Sequence, residues 1–168
     1  LILKIKPYIA KRFNTWGHAI EYASDGGFQQ AHVLTYLASG GLFGVGIGNG
    51  FLKYVFASES DLVFGIVCEE LGIIVGFVLI IAILCLAIYT RDIATRSRST
   101  FYSISACCAA GLFIVQMSLN VFGATDILPL TGVTFPFVSA GGSSMISCWG
   151  LLAFIKAADE RTYSQKRG

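Results

Sequence analysis

The chain has 168 residues, of which 55% are hydrophobic and only 13% are charged, and its formal net charge is +2. About a quarter of the residues of a soluble domain are charged, so this composition excludes an ordinary soluble domain and favours a membrane protein. A net charge this close to zero gives no indication of a nucleic-acid partner.

The chain begins with Leu1-Ile2-Leu3, and no basic n-region of a signal peptide precedes this start. We therefore expect the carboxyl-terminal part of a longer membrane protein. Residues 1–60 are predicted to be the end of a preceding transmembrane helix and a large extracytoplasmic loop. Within that loop, Phe28 to Leu37 could form a short amphipathic helix at the membrane interface.

The stretch "ASGGLFGVGIGNG" in the same loop holds six glycines in 13 residues. Glycine at this density predicts either a close approach of the backbone to another group or a bend back toward the bilayer. A phosphate-binding loop would need a preceding strand and a following helix. No such context is found here, so a nucleotide site is not predicted.

Three apolar stretches are long enough to cross about 30 Å of hydrocarbon. They cover residues 61–90, 101–122 and 135–156. The connection 91–100 and the tail 157–168 are basic, which predicts that both are cytoplasmic. The connection 123–134 has no Lys or Arg and is predicted to be external, so residues 1–60 are expected outside as well.

Acidic residues precede the first apolar stretch in "FASESDLVFGIVCEELG". Asp61 lies at the predicted water boundary, where partial desolvation makes a carboxylate a better base. Glu69 and Glu70 would lie about 12 to 14 Å further along one continuous helix. At that depth a carboxylate must face a cavity, a partner or a proton. The residues alone leave a transporter and a membrane-bound enzyme equally open.

Three motifs resemble the SEDS family (RodA/FtsW/SpoVE-like), the shape, elongation, division and sporulation proteins. The stretch "DLVFGIVCEELG" resembles the family block D-F-I-F-A-x-x-x-E-E-L-G. The stretch "LPLTGVTFPFVSAGGSS" is similar to I-P-x-T-G-x-x-L-P-F-x-S-x-G-G-S-S, and "GGFQQAHVLTYLASGGLFGVGIG" to G-Y-Q-x-x-Q-S-x-x-A-x-x-S-G-G-x-x-G-x-G. The motifs occur in the family's order and cover nearly the whole chain.

The resemblance implies an all-α polytopic membrane protein with a GT-C-like helical bundle, of which this chain holds about three full transmembrane helices and the large external loop. It implies a peptidoglycan glycosyltransferase in the bacterial plasma membrane, with the active site facing outside. Such an enzyme polymerises lipid II into glycan strands, releases undecaprenyl pyrophosphate, and works with a class B penicillin-binding protein. The alternatives are a flippase for lipid-linked precursors and a non-catalytic scaffold for that penicillin-binding protein.

The resemblance also assigns roles to single residues. Asp61 matches the essential external aspartate, whose expected role is general base. Glu69 matches a paired glutamate of the family, either in contact with substrate or joining helices inside the bundle. A divalent cation such as Mg²⁺ could assist the leaving group, although no ligand set for a metal is evident. The other expected substrate contacts are Arg12, Gln29, Lys53, Ser139, Ser143 and Ser144.

These contacts differ in what supports them. Arg12 fits a family position, whereas Lys53 rests on its charge and placement. Gln29 could bind sugar or peptide, or could brace the loop. The three serines are expected to pack the last helix and line the cavity more than to catalyse. The chain also departs from the family before Asp61, where L-P-E-x-H-T-D is common and Val55 to Asp61 reads VFASESD.

Overall fold

The computed structural model describes residues 16–22, 27–55, 58–97 and 99–164. Over these ranges the regular structure is helical and contains no β-strand. The predicted contact residue Arg12 lies outside the described residues. The helices are α1 (Phe28–Gly40), α2 (Ser58–Asp61), α3 (Val63–Leu71), α4 (Ile73–Arg96), α5 (Thr100–Ala124) and α6 (Gly142–Ser164), with a 3₁₀ turn at Leu52–Tyr54.

The chain reverses its direction at Gly72, between α3 and α4. Gly72 has a φ of +89°, a left-handed conformation that only glycine adopts without strain. A Cβ built on Gly76 would lie 2.6 Å from the Sγ of Cys68 and 3.2 Å from the ring of Phe64. Residues twelve apart in one straight helix would be about 18 Å apart, so α3 must fold back along the start of α4.

This reversal divides the predicted membrane helix 61–90 and changes the order of its acidic residues. Glu69 and Glu70 lie beside the reversal, at the level where α4 begins, whereas Asp61 lies at the far end of α3. The two glutamates are therefore not deeper along α4 than Asp61 is. An isolated glycine inside an apolar run does not by itself predict a helix break, which is why the sequence suggested one continuous helix.

Helices α4 and α5 form an antiparallel pair. The hydroxyl of Ser103, near the start of α5, donates a hydrogen bond of 2.7 Å to the carbonyl of Ala94, near the end of α4. Among the described residues, these two helices are long and apolar enough to cross a membrane. Helix α4 continues to Arg96, which pairs with Asp92 at 2.8 Å, so the predicted loop 91–100 is mostly helical.

The segment after α5 is not helical until Gly142. Residues 128–141 form an extended and turning segment, which we call the 128–141 segment, and α6 therefore starts later than the predicted span 135–156. Phe135 of this segment is buried and stacks on Phe64 of α3 with ring centroids 6.3 Å apart. The segment is thus packed into the interior, between α3 and the ends of the long helices.

Large apolar side chains are exposed along α4 in this structure. Such a continuous apolar surface on a helix of 24 residues suits contact with lipid or with other membrane helices. These side chains include Ile74, Phe77, Val78, Ile81, Leu84 and Ile88.

Candidate functional site

Asp61 is the last residue of the short helix α2, and the carbonyls at this helix end are bound by other parts of the chain. A helix leaves its last carbonyls without partners inside the helix. Here the N–H of Ala140 donates to the Glu59 carbonyl at 2.9 Å, and the hydroxyl of Ser139 donates to the Ser60 carbonyl at 2.7 Å. The side-chain amide of Asn120 donates to the Asp61 carbonyl at 3.0 Å. Three successive carbonyls are thereby fixed.

Asn120 of α5 connects this helix end to the 128–141 segment. Its side chain is buried, with 2% exposure, and its Nδ2 also donates to the Val133 carbonyl at 2.7 Å. Because both partners are carbonyl acceptors, the NH₂ group of the amide must face them. With the amide flipped, its oxygen would face the two carbonyls and both hydrogen bonds would be lost. Asn120 therefore holds Asp61 and Val133 at a fixed separation.

Ser139 plays a second connecting role inside the 128–141 segment. Its Oγ accepts a hydrogen bond of 2.8 Å from the N–H of Phe135 while it donates to Ser60. Both the donor and the acceptor capacity of this buried hydroxyl are used. The expected role of Ser139 in packing is consistent with this arrangement, which leaves the hydroxyl turned toward the chain's own backbone.

The carboxylate of Asp61 lies against the backbone of Gly132. Gly132 has a φ of +74°, and a Cβ built on it would lie 3.0 Å from the Oδ2 of Asp61. Asp61 is half-buried, and within the part of the chain that the structure describes no donor is hydrogen-bonded to its carboxylate oxygens. Such a carboxylate has free lone pairs for accepting a proton, on a backbone that is held in place.

Glu69 makes a different kind of contact, at the other end of α3. It is buried, with 1% exposure. Its two oxygens accept hydrogen bonds from the N–H groups of Phe51, at 2.7 Å, and Leu52, at 3.0 Å. Its carboxylate is thus bound to the chain's own loop, about 12 Å along α3 from Asp61. The structure does not bring Glu69 to the Asp61 site.

Lys53 directs its ammonium group to the glycine-rich part of the chain. Its Nζ donates to the Gly48 carbonyl and lies 5.4 Å from the centre of the Tyr54 ring. The Lys53 carbonyl accepts a hydrogen bond of 3.0 Å from the Ser58 hydroxyl, which links Lys53 to the first residue of the helix that carries Asp61. Lys53 as a whole is half-buried.

Gln29 and the next residue, Gln30, have different environments. Gln29 is half-buried at the start of α1. Gln30 is buried, and its Nε2 donates to Asp126 Oδ1 at 2.6 Å and lies 3.2 Å from the Leu128 carbonyl and 3.3 Å from that of Gly123. Sequence reasoning missed Gln30, which braces the connection after α5.

The remaining predicted serines lie at the start of α6. The hydroxyl of Ser144 is 2.7 Å from that of Thr134, which joins the first turn of α6 to the 128–141 segment near Gly132. Ser143 is exposed, and its carbonyl accepts a hydrogen bond from Ser147 at 2.9 Å. The structure therefore assembles Asp61, Ser139 and Ser144 around one segment and leaves Ser143 at its surface.

Metal ligands and thiols are the other reactive groups that a site of this kind could contain. The described residues contain no group of three or more His, Cys, Asp or Glu side chains that could hold a metal ion. Cys68 is fully buried and its Sγ packs beside Gly76, so this cysteine is a packing residue. Asp61 is therefore the candidate reactive group of this site.

Comparisons with known proteins point to one family. The family model described as a cell cycle protein, which groups FtsW, RodA and SpoVE, matches residues 1–164. The chain is 38% identical over 158 residues to the probable peptidoglycan glycosyltransferase FtsW of Lactococcus lactis, covering 92% of this chain and 38% of that protein. It is 30% identical over 148 residues to the peptidoglycan glycosyltransferase RodA of Mycobacterium leprae, covering 88% and 32%.

A sporulation protein is similar as well. The chain is 33% identical over 141 residues to the stage V sporulation protein E of Bacillus subtilis, covering 83% of this chain and 38% of that protein. The chain thus spans about a third to two fifths of the length of these relatives. Because the family model covers nearly every residue and several relatives exceed 30% identity, the chain belongs to the FtsW/RodA/SpoVE family of membrane proteins.

Proposed function

We propose that this chain is part of a membrane-bound peptidoglycan glycosyltransferase that polymerises lipid II for cell elongation, division or sporulation. The proposal is supported by the family and by the printed names of the FtsW and RodA relatives. The observation that carries it is the Asp61 carboxylate, which has free lone pairs at the end of a helix whose three last carbonyls are bound.

In this mechanism, Asp61 acts as the general base. An acceptor sugar hydroxyl attacks the anomeric carbon of the lipid-linked donor, and its proton passes to the Asp61 carboxylate. The new bond is the glycosidic C–O bond, and the bond that breaks joins the anomeric carbon to undecaprenyl pyrophosphate. Cationic groups stabilise that leaving group, for which Lys53 and Arg12 are the candidates.

The other predicted site residues would bind the substrate or hold the loop beside it. Gln29, Ser143 and Ser144 would contact or frame the sugar and peptide groups, and Glu69 would hold the loop that carries Lys53. A divalent cation such as Mg²⁺ has no ligand set of protein side chains among the described residues.

The proposed setting is the bacterial plasma membrane, crossed by α4, α5 and the later part of the chain in a GT-C-like bundle. Arg91 and Arg96 near the end of α4 would face the cytoplasm, since basic residues favour that side. Asp61 would then face outside, where a class B penicillin-binding protein could cross-link the glycan product. A scaffold for that partner, or a flippase, would not need the Asp61 carboxylate.

Replacing Asp61 by Asn tests the proposal. The full-length protein with its penicillin-binding partner is supplied with lipid II, and the glycan polymer is measured. We expect Asp61→Asn to lower kcat by about 100-fold or more, because a general base contributes about 10²- to 10⁴-fold.

The matched control is Glu59→Gln, which changes an exposed carboxylate two residues away and should leave the rate within about twofold of the wild type. Polymerisation by Asp61→Asn at the wild-type rate would rule out the general base. Translocation of lipid II without any polymer from the wild type would instead favour a flippase.

A further inference from the structure

The glycine-rich loop, residues 41–52, exposes apolar side chains and contains no Asp, Glu, Lys or Arg. Phe43 and Ile47 are each 82% exposed, and Leu42 and Phe51 are more than 60% exposed. Leaving a side chain of this size in water forgoes about 1.5 to 3 kcal/mol relative to burying it. A group of such residues on one short loop marks a surface that contacts something apolar.

More than half of the backbone N–H groups of this loop donate to acceptors within the protein. The carboxylates of Glu69 and Glu70 accept hydrogen bonds from the loop, with Glu70 Oε2 at 3.0 Å from the Gly48 N. The backbone carbonyls of the same two glutamates accept from Val45, at 2.9 Å, and Gly46, at 3.0 Å. The loop N–H groups that have acceptors are those of Gly44, Val45, Gly46, Gly48, Asn49, Phe51 and Leu52.

Several carbonyls of the loop are paired as well. The Gly41 carbonyl accepts from the N–H of Ile73 at 3.1 Å. The Val45 carbonyl accepts from the side chain of Asn49 at 3.3 Å. The Gly48 carbonyl accepts from Lys53. A loop in water needs no such pairing, since water supplies both donors and acceptors, whereas in hydrocarbon every backbone polar group must be satisfied by the protein.

The loop also lies where a membrane surface would be. Gly72, immediately before α4, is packed against the backbone of Leu42 and Phe43, so the loop adjoins the first turn of the apolar helix α4. Lys53 and Tyr54 follow the loop, and Tyr54 is 78% exposed. Lysine and tyrosine are favoured at the boundary between hydrocarbon and water, where the apolar part of each side chain is buried and its polar end is wet.

We propose that the glycine-rich loop inserts into the lipid bilayer beside the start of α4, with the side chains of Leu42, Phe43 and Ile47 among the acyl chains of one leaflet. Glu69 and Glu70 then accept hydrogen bonds from part of the loop backbone, while the backbone of Leu42, Phe43 and Ile47 stays at the headgroup level, where water supplies the remaining partners. The paired glutamates and the five glycines of the loop have a joint role, because glycine permits the turns and the glutamates accept hydrogen bonds from several loop N–H groups. This inference is independent of the catalytic role of Asp61.

Spin-label accessibility tests the insertion. Nitroxides are attached to Phe43→Cys and Ile47→Cys in the full-length protein, with the exposed native cysteines replaced, in vesicles of phosphatidylethanolamine and phosphatidylglycerol. Collision rates are measured with oxygen, which concentrates in hydrocarbon, and with a nickel chelate, which stays in water. Glu21→Cys, on an exposed polar side chain, is the water control, and Val78→Cys on α4, 56% exposed, is the lipid control.

We expect positions 43 and 47 to collide more often with oxygen than with nickel, as position 78 does, and position 21 to show the reverse. Faster nickel collisions at both loop positions would overturn the proposal. Protection from both reagents would also overturn it, since the loop would then be covered by protein. As a second measurement, Phe43→Trp should be quenched by lipids that carry bromine on the acyl chain.

Discussion

Asn120 and Ser139 show how Asp61 is placed by residues that do not react. Each of these buried side chains binds one carbonyl at the end of α2 and one group of the 128–141 segment. Their contacts are to backbone, so they position Asp61 without contacting its carboxylate. A shift of about 1 Å in a catalytic group can lower a rate by about 100-fold, and both residues therefore bear on the proposed reaction.

Ser139→Ala should lower the stability of the protein and the rate of polymerisation. It leaves the Phe135 N–H and the Ser60 carbonyl without their partner, and an unsatisfied buried polar group costs about 1 to 3 kcal/mol. The matched control is Ser147→Ala, eight residues later, where the side chain is exposed. We expect a lower melting temperature and a kcat reduced by about tenfold for Ser139→Ala only, measured in detergent and with lipid II. Equal behaviour of the two variants would contradict the positioning role.

At the residue scale, Asp61 and Ser139 were predicted to be site residues because both belong to specific motifs. Gln30 was not identified, because a glutamine at the start of an amphipathic helix is usually a surface residue. Its spacing from Val33 and Leu37 does place it on the inner face of α1, and that was the available signal. The partner Asp126 is 96 residues away in sequence, so no local pattern could reveal the pair.

At the scale of elements, the helix break at Gly72 is the feature that the hydropathy pattern conceals. Both α3 and the start of α4 are apolar, and an apolar run of this length predicts one membrane helix. The glycine-rich loop explains why the chain breaks into two helices at this point. The Leu42 carbonyl of that loop occupies the space that a Cβ of residue 72 would need, so only glycine fits there. That requirement arises from tertiary packing and is invisible in a local window of sequence.

Gly72→Ala should destabilise the protein strongly. Its φ of +89° strains any residue with a Cβ, at about 1 to 3 kcal/mol, and the overlap with Leu42 adds to that. Gly111→Ala on α5 is the control, because a Cβ there meets nothing within 4 Å and alanine is about 1 kcal/mol better than glycine in a helix. Thermal unfolding in detergent should show a lower midpoint for Gly72→Ala and an unchanged or higher one for Gly111→Ala. The opposite order would show that the reversal is not required.

At the scale of the whole molecule, long-range hydrogen bonds join parts of the chain that the sequence suggested were separate. Glu69 holds the glycine-rich loop, Gln30 holds the connection after α5, and Asn120 joins α5 to Asp61. The predicted division into an external loop and membrane helices did not include these hydrogen bonds, because it treated as separate two parts of the chain that share one packed interior. The spanning helices followed from composition and apolar runs and the all-α class from the family resemblance, whereas the hydrogen bonds between distant elements required the three-dimensional structure.

Glu69→Gln tests whether this glutamate holds the glycine-rich loop through hydrogen bonds or contacts the substrate. A glutamine has one acceptor oxygen, so one of the two N–H groups at Phe51 and Leu52 would face an NH₂ group, which should destabilise the loop by about 1 to 3 kcal/mol. Glu70→Gln is the control, because only one Glu70 carboxylate oxygen accepts from Gly48 and an amide oxygen can replace it.

The two readouts are the unfolding midpoint in detergent and the KM for lipid II. We expect Glu69→Gln to lower the midpoint more than Glu70→Gln does, with KM within about threefold of the wild-type value. An unchanged midpoint together with a KM raised tenfold or more would instead identify Glu69 as a substrate contact.

The reversal at Gly72 also sets the position of Asp61 along the direction of α4. A Cβ built on Gly76, in the first turn of α4, would lie 3.2 Å from the Phe64 ring, and Asp61 is almost one turn further from the reversal than Phe64. Asp61 is therefore recessed by about two turns of α4, or roughly 10 Å, from the outer end of that helix. A single glycine thus places the proposed base below the outer end of α4, on the side from which a lipid-anchored substrate would approach.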